Sequence, residues 1–192
     1  MSNLKAIPTK IFGYSFRSRL EARWAVTFRN LGIRFSYEHE GYQLSGKYYL
    51  PDFYLNDLDC YVEIKGKHPT NEEQLMAYLL SRDSEKYVHI LSGSIPIAYP
   101  SMWYMDDFMI YSYHYKSMPT LDLTNNLSLV RMYLGDVYMI NQCPVCLKSG
   151  FCKSGIIGNL SCGCTRIKSS ELSKKVISAF AFGRSASFEF KK

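Results

Sequence analysis

The chain has 192 residues, enough for one ordinary domain with a small appendage. Its 47% hydrophobic content, with 16 Tyr and 11 Phe, can build a packed core and excludes a disordered chain. The formal net charge of +6 biases it modestly toward polyanionic partners, and no apolar run reaches the roughly 18 residues of a membrane-spanning helix.

Residues 1–14 read as a lead-in, and the first ten hold no hydrophobic secretory core, so a cytoplasmic protein without a membrane anchor is expected. Ser18 begins a helical pattern whose apolar stripe is Leu20, Trp24, Phe28 and Leu31, and Gly32 stops it. Strands are predicted over 33–38, 48–55 and 60–65, separated by Gly41, Ser45, Gly46 and the Asn56-Asp57 pair. Gly66 closes the third strand. Thr70 then fits a helix N-cap with Glu73 as its capping-box partner, which predicts a helix over 71–81. A short strand over 87–91 follows. The predicted order is α-β-β-β-α-β, an α/β fold with a mixed sheet flanked by helices.

From 95 to 138 the chain is rich in Tyr and Met; a strand is predicted over 109–115, and 127–132 fits helix or strand equally. A final helix is predicted over 169–182. The cysteine-bearing stretch between them suggests a division into 1–140 and a smaller C-terminal segment, 141–192.

The chemistry concentrates in Pro51-Asp52 and Glu63-Ile64-Lys65. Residues two apart on a strand share a face, so Glu63 and Lys65 point one way while Val62 and Ile64 point to the other, which can be buried against a helix. Asp52, on the preceding strand, can approach the charged face. Two carboxylates beside an ammonium suit phosphodiester cleavage. Asp52 and Glu63, with the backbone carbonyl of Ile64, offer oxygen ligands to Mg²⁺. The metal acidifies a bound water, and Lys65 orients that water or stabilises the pentavalent transition state. The competing reading is an exposed ion pair on an edge strand, which contributes little.

This arrangement resembles the PD-(D/E)xK nuclease superfamily. The resemblance implies a restriction-endonuclease-like fold over about residues 15–93, dependence on Mg²⁺ or Mn²⁺, DNA as substrate, and Asp52, Glu63 and Lys65 as the motif residues. It implies a further acid on the first helix, for which Glu21 is placed; Ser18-x-x-Glu21 is equally a capping box. Gln74-x-x-x-Tyr78 looks like the Q-x-x-x-Y motif of RecB-like members, with both side chains on one helix face; an ordinary amphipathic helix is the alternative. The opening from Arg17 to Trp24 looks like phage-encoded relatives, acting in the host cytoplasm. Lys67 and His68, just past the motif strand, are candidates for phosphate contacts, against a plainly solvated loop.

Cys143-Pro144-Val145-Cys146 is a zinc-knuckle half, and Cys162-Gly163-Cys164 can supply the other, with Cys152 as an alternative ligand. Unligated thiols are the competing reading. A zinc staple suits a segment too small to hold itself by its own core. It would present Lys148, Lys153, Arg166 and Lys168 to phosphates. Cys60 reads as core. A homodimer, with the Tyr- and Met-rich stretch at its interface, is compatible with these features.

Overall fold

The computed structural model describes residues 7–99, 102–104, 108–114, 138–143, 145–153, 158–159, 166–167 and 173–188. The predicted lead-in is structured: β1 (Thr9–Ile11) and β2 (Tyr14–Phe16) pair as an antiparallel hairpin. Helix α1 (Arg19–Leu31) follows. The Ser18 hydroxyl caps it by accepting the Glu21 N–H at 3.1 Å, and Gly32 ends it at φ 74°, a left-handed conformation that glycine adopts without a Cβ clash.

Beyond α1 come β3 (Phe35–Tyr37), β4 (Tyr42–Leu44), β5 (Lys47–Tyr49), β6 (Phe53–Leu55) and β7 (Cys60–Lys65). The strand predicted over 48–55 is therefore two strands. Pro51 has no N–H to donate to a ladder, and β5 turns back to pair with β4 while β6 joins the main sheet. Helix α2 (Asn71–Ser84) keeps the predicted start, with the full Thr70–Glu73 capping box, and runs three residues further than predicted. The remaining elements among the described residues are β8 (Tyr87–Ser92), β9 (Ile97–Tyr99), β10 (Met102–Tyr104), β11 (Met109–Tyr113), β12 (Tyr138–Gln142), β13 (Ser149–Lys153), β14 (Gly158–Asn159), β15 (Arg166–Ile167) and α3 (Lys174–Ser185). Residues 127–132 lie outside the described residues. The final helix starts at Ser173, its N-cap, later than predicted.

Among the described residues, the main sheet has five strands in the order β11-β8-β7-β6-β3. β7 and β8 are parallel, joined through α2, and the other pairings are antiparallel. The architecture is thus mixed α/β. Alternation along β7 sorts its side chains between two cores. Cys60, Val62 and Ile64 join Trp24, Phe28 and Phe180 on the side covered by α1 and α3. Tyr61 joins Met76, Ala77 and Leu80 of α2 on the other. Full burial of side chains such as Phe28 or Leu80 contributes roughly 1.5–3 kcal/mol each.

The residues after 140 share this core with those before it. Val176, Ala179 and Phe180 are buried with Trp24 and Phe28, and Ser149 Oγ donates to the Leu31 carbonyl at 2.9 Å. Helix α3 comes so close to α1 that a Cβ built on Gly183 would lie 2.0 Å from Thr27 Oγ1, a hydroxyl already committed to the Arg23 carbonyl. Gly183→Ala is expected to destabilise the protein by about 1–3 kcal/mol through overpacking, although alanine is the better helix former by about 1 kcal/mol. Adding Thr27→Ala should recover most of that loss. Urea unfolding of both variants checks this, and a neutral or stabilising Gly183→Ala would refute the close crossing.

Candidate active site

The register of β6 and β7 pairs Phe53 with Val62. One step further Asp52 faces Glu63, and there the backbone ladder gives way to side chains. Asp52 Oδ2 accepts the Ile64 N–H at 2.7 Å, and Glu63 Oε2 accepts the Asp52 N–H at 3.3 Å. Each acid thus satisfies a backbone donor on the other's strand as the strands diverge. Both are buried, Asp52 at 3% and Glu63 at 5% relative exposure. On the outer side the Asp52 carbonyl accepts the Glu38 N–H at 2.9 Å, one step past the end of β3.

Two cations answer these acids. Lys65 Nζ lies 3.0 Å from Glu63 Oε1 and 2.9 Å from Glu73 Oε1, and Glu73 is itself held by the α2 capping box. Burial alone would lower the Lys65 pKa, but Glu63 and Glu73 more than offset it and hold the ammonium above its usual range. Arg17 Nη2 lies 2.5 Å from Asp52 Oδ1, and its Nε lies 2.8 Å from Glu38 Oε1. Even so, burial first, and then the charges of Glu63 and Glu21, raise the Asp52 carboxyl well above the ordinary carboxylate range, against the Ile64 N–H and Arg17. The Tyr49 phenol stands near Glu63; burial and the nearby acids push it up as well.

Asp52, Glu63 and Lys65 are therefore together. Glu21 stands close enough for its charge to act on Asp52, but its oxygens are engaged. Oε1 accepts from the Ser18 hydroxyl at 2.6 Å, and Oε2 accepts from the Tyr37 hydroxyl at 2.6 Å and the Arg17 N–H at 3.1 Å. Gln74 faces the α2 core: its amide donates to the Pro69 carbonyl at 3.1 Å and its carbonyl accepts from the Tyr113 hydroxyl at 3.3 Å. Tyr78 is buried in that core. His68 is exposed, with Nδ1 2.8 Å from the Tyr111 hydroxyl, and Lys67 is exposed beside it. Arg17, Glu38, Tyr49 and Glu73 are site residues that the motif reading does not contain. Glu38 could have been found by extending the β3–β6 pairing one step to Asp52.

Among the described residues, no three His, Cys, Asp or Glu side chains form a ready-made metal-ligand set. Asp52 and Glu63 nevertheless fit a hard divalent cation. Mg²⁺ takes one or two carboxylates and keeps several waters, and the Arg17 guanidinium already occupies a cation's position at Asp52.

Cys143 and Cys146 sit on the turn between β12 and β13. The Cys143 N–H donates to the Lys148 carbonyl at 2.8 Å, the Leu147 N–H donates to the Cys143 carbonyl at 2.9 Å, and Leu147 is left-handed at φ 60°. Cys162, Cys164 and Lys168 lie outside the described residues. Cys152 is on β13 and Arg166 on β15. Lys148 is exposed and lines a cleft with Arg34, Asp57 and Lys175. Cys60 is buried in the core, and burial pushes its thiol up. No helix among the described residues is long and apolar enough to cross a membrane.

A carboxyl whose pKa rises on folding binds its proton more tightly in the folded chain. Its contribution to stability therefore falls as the pH climbs from the unfolded value of about 3.9 toward the raised folded value. Asn at position 52 can still accept the Ile64 N–H and carries no charge. Asp52→Asn is expected to raise the melting temperature over wild type in EDTA, by more at pH 8 than at pH 4.5; thermal melts across that range check it, and a gap that closes with rising pH would overturn it. Compared with known proteins, the chain matches no protein-family model, no curated protein and no solved structure.

Proposed function

We propose that this protein is a DNA endonuclease of the PD-(D/E)xK type, dependent on Mg²⁺ or Mn²⁺. The observation that carries the reading is the meeting of two buried carboxylates, Asp52 and Glu63, with the Lys65 ammonium at the diverging end of β6 and β7. The order α1, β3, β6, β7, α2, β8 supports a restriction-endonuclease-like core, with β4–β5 as an inserted hairpin.

A pair of buried acids that face solvent chemistry has a steep desolvation cost, which a divalent cation shared with substrate repays through function rather than stability. Asp52, Glu63 and the Ile64 carbonyl would hold the metal, which when bound supplies an acidified water and positive charge at the phosphate. Lys65, kept protonated and aimed by Glu63 and Glu73, donates to phosphate oxygens as negative charge builds on them. The Tyr49 phenol lies near the Glu63 carboxylate. The Ile64 N–H fixes Asp52, so that acid does not have to reorganise during the reaction. Glu21, as the first-helix acid, shapes the field around Asp52. Gln74 and Tyr78 hold α2 against the sheet beneath the site, and Lys67 and His68 line the approach of the DNA backbone.

The cysteine turn supports a structural zinc site in which Cys143 and Cys146 pair with Cys162 and Cys164. That site would carry Lys148 and Lys168 toward phosphates. A homodimer would let such an enzyme cut both strands.

Purified protein should cut supercoiled or branched DNA with Mg²⁺ and not with EDTA. Asp52→Ala and Lys65→Ala are each expected to lower the rate by about 10²–10³-fold, the scale of a lost charge-stabilising group. Equal cutting by Lys65→Ala would reject its role, and DNA binding without cutting under any metal would favour a non-catalytic nucleic-acid-binding module. For the zinc site, elemental analysis is expected to find one zinc per chain, lost in Cys143→Ser and Cys164→Ser; a full zinc content in both would refute these ligands.

A further inference from the structure

Arg17 occupies the one Asp52 oxygen that the backbone leaves open. Oδ2 takes the Ile64 N–H, and Oδ1 takes the guanidinium. The two partners differ sharply in exposure: the Arg17 side chain is 54% exposed and that of Asp52 4%. The guanidinium therefore stands between the buried Asp52 carboxylate and solvent. Its backbone is pinned separately, because the Arg17 N–H donates to Glu21 Oε2 and to the Tyr37 hydroxyl. The side chain can leave Asp52 without disturbing the start of α1.

A divalent cation cannot share Asp52 with this guanidinium at close range without strong like-charge repulsion. An arginine also cannot shed its proton to escape that repulsion. It must move and find another anion. Glu38 keeps a hold on Nε, which leaves the far end of the planar fork free for bidentate contact with a phosphate.

We propose that Arg17 is a substrate-binding residue held in waiting by Asp52 and Glu38. A divalent cation arriving at Asp52 displaces it, and it then grips a phosphate oxygen of the nucleic-acid backbone beside the acid pair. This rests on the nuclease reading above. It adds to that reading a further substrate-binding residue and an exchange in which metal binding releases the cation that meets the substrate.

The test measures Mn²⁺ binding without DNA, by electron paramagnetic resonance of free Mn²⁺ at pH 8, for wild type, Arg17→Gln, Arg17→Lys and Asp52→Asn. Cleavage is then measured at saturating Mn²⁺. If Arg17 holds Asp52 about nine-tenths of the time, Arg17→Gln should bind Mn²⁺ about tenfold more tightly. It should cut about 10²-fold more slowly once saturated. Arg17→Lys, which keeps the charge but not the fork, should bind Mn²⁺ near the wild-type affinity and still cut slowly; it decides the matter if Arg17→Gln fails to fold. An Arg17→Gln variant that binds Mn²⁺ no more tightly than a wild type whose binding is lost in Asp52→Asn would overturn this inference alone. Cutting by Arg17→Lys and Arg17→Gln at the wild-type rate under saturating Mn²⁺ would overturn it as well. A wild type whose Mn²⁺ binding is unchanged by Asp52→Asn would overturn the metal site, and this inference with it.

Discussion

Two carboxylates buried opposite each other at the end of a β-ladder are costly to hold, and much of the surrounding structure answers them. Taking an ion out of water costs several kcal/mol even after relaxation. Asp52 and Glu63 offset part of that with each other's strands, through the Ile64 and Asp52 N–H groups, and part with Arg17 and Lys65. Each cation is then steadied by a second acid. Glu38 lies just past β3, and Glu73 opens α2. Four elements thus converge on a pair of acids that an ordinary sheet would carry as apolar residues.

The raised Asp52 pKa shows that the compensation is incomplete. A protein selected for stability alone has no reason to keep such a position charged, since replacement of buried ionic groups by apolar ones is often neutral or stabilising. Residual strain of this kind concentrates where charge is needed for chemistry or binding.

Much of this was legible in the sequence wherever the signal was local. The helix from Ser18 to Gly32, the strand Cys60–Lys65 and the Thr70–Glu73 capping box all follow from caps, breakers and periodicity within a few residues. The apposition of Asp52 with Glu63 and Lys65 also follows, because alternation fixes the face and the short hairpin fixes the register. The division at Pro51 was harder, since Tyr48 and Tyr49 have equal strand propensity in either pairing and only tertiary contact selects β4. Arg17 was out of reach for a different reason. Its partners are 35 and 21 positions away, and nothing in a run of Arg-Ser-Arg distinguishes the side chain that turns inward. The C-terminal helix was recognisable as a helix, but its docking on α1 depends on Gly183 meeting Thr27, a fit between two faces that periodicity does not encode.

That docking has a consequence for how the chain is made. The stripe of α1 carrying Trp24 and Phe28 is covered by residues 176–180 as well as by the sheet. On a ribosome, the helix emerges long before the segment that seals it. Until residues 176–180 emerge, the nascent chain carries part of that aromatic surface uncovered, the situation that recruits chaperones and invites misassembly.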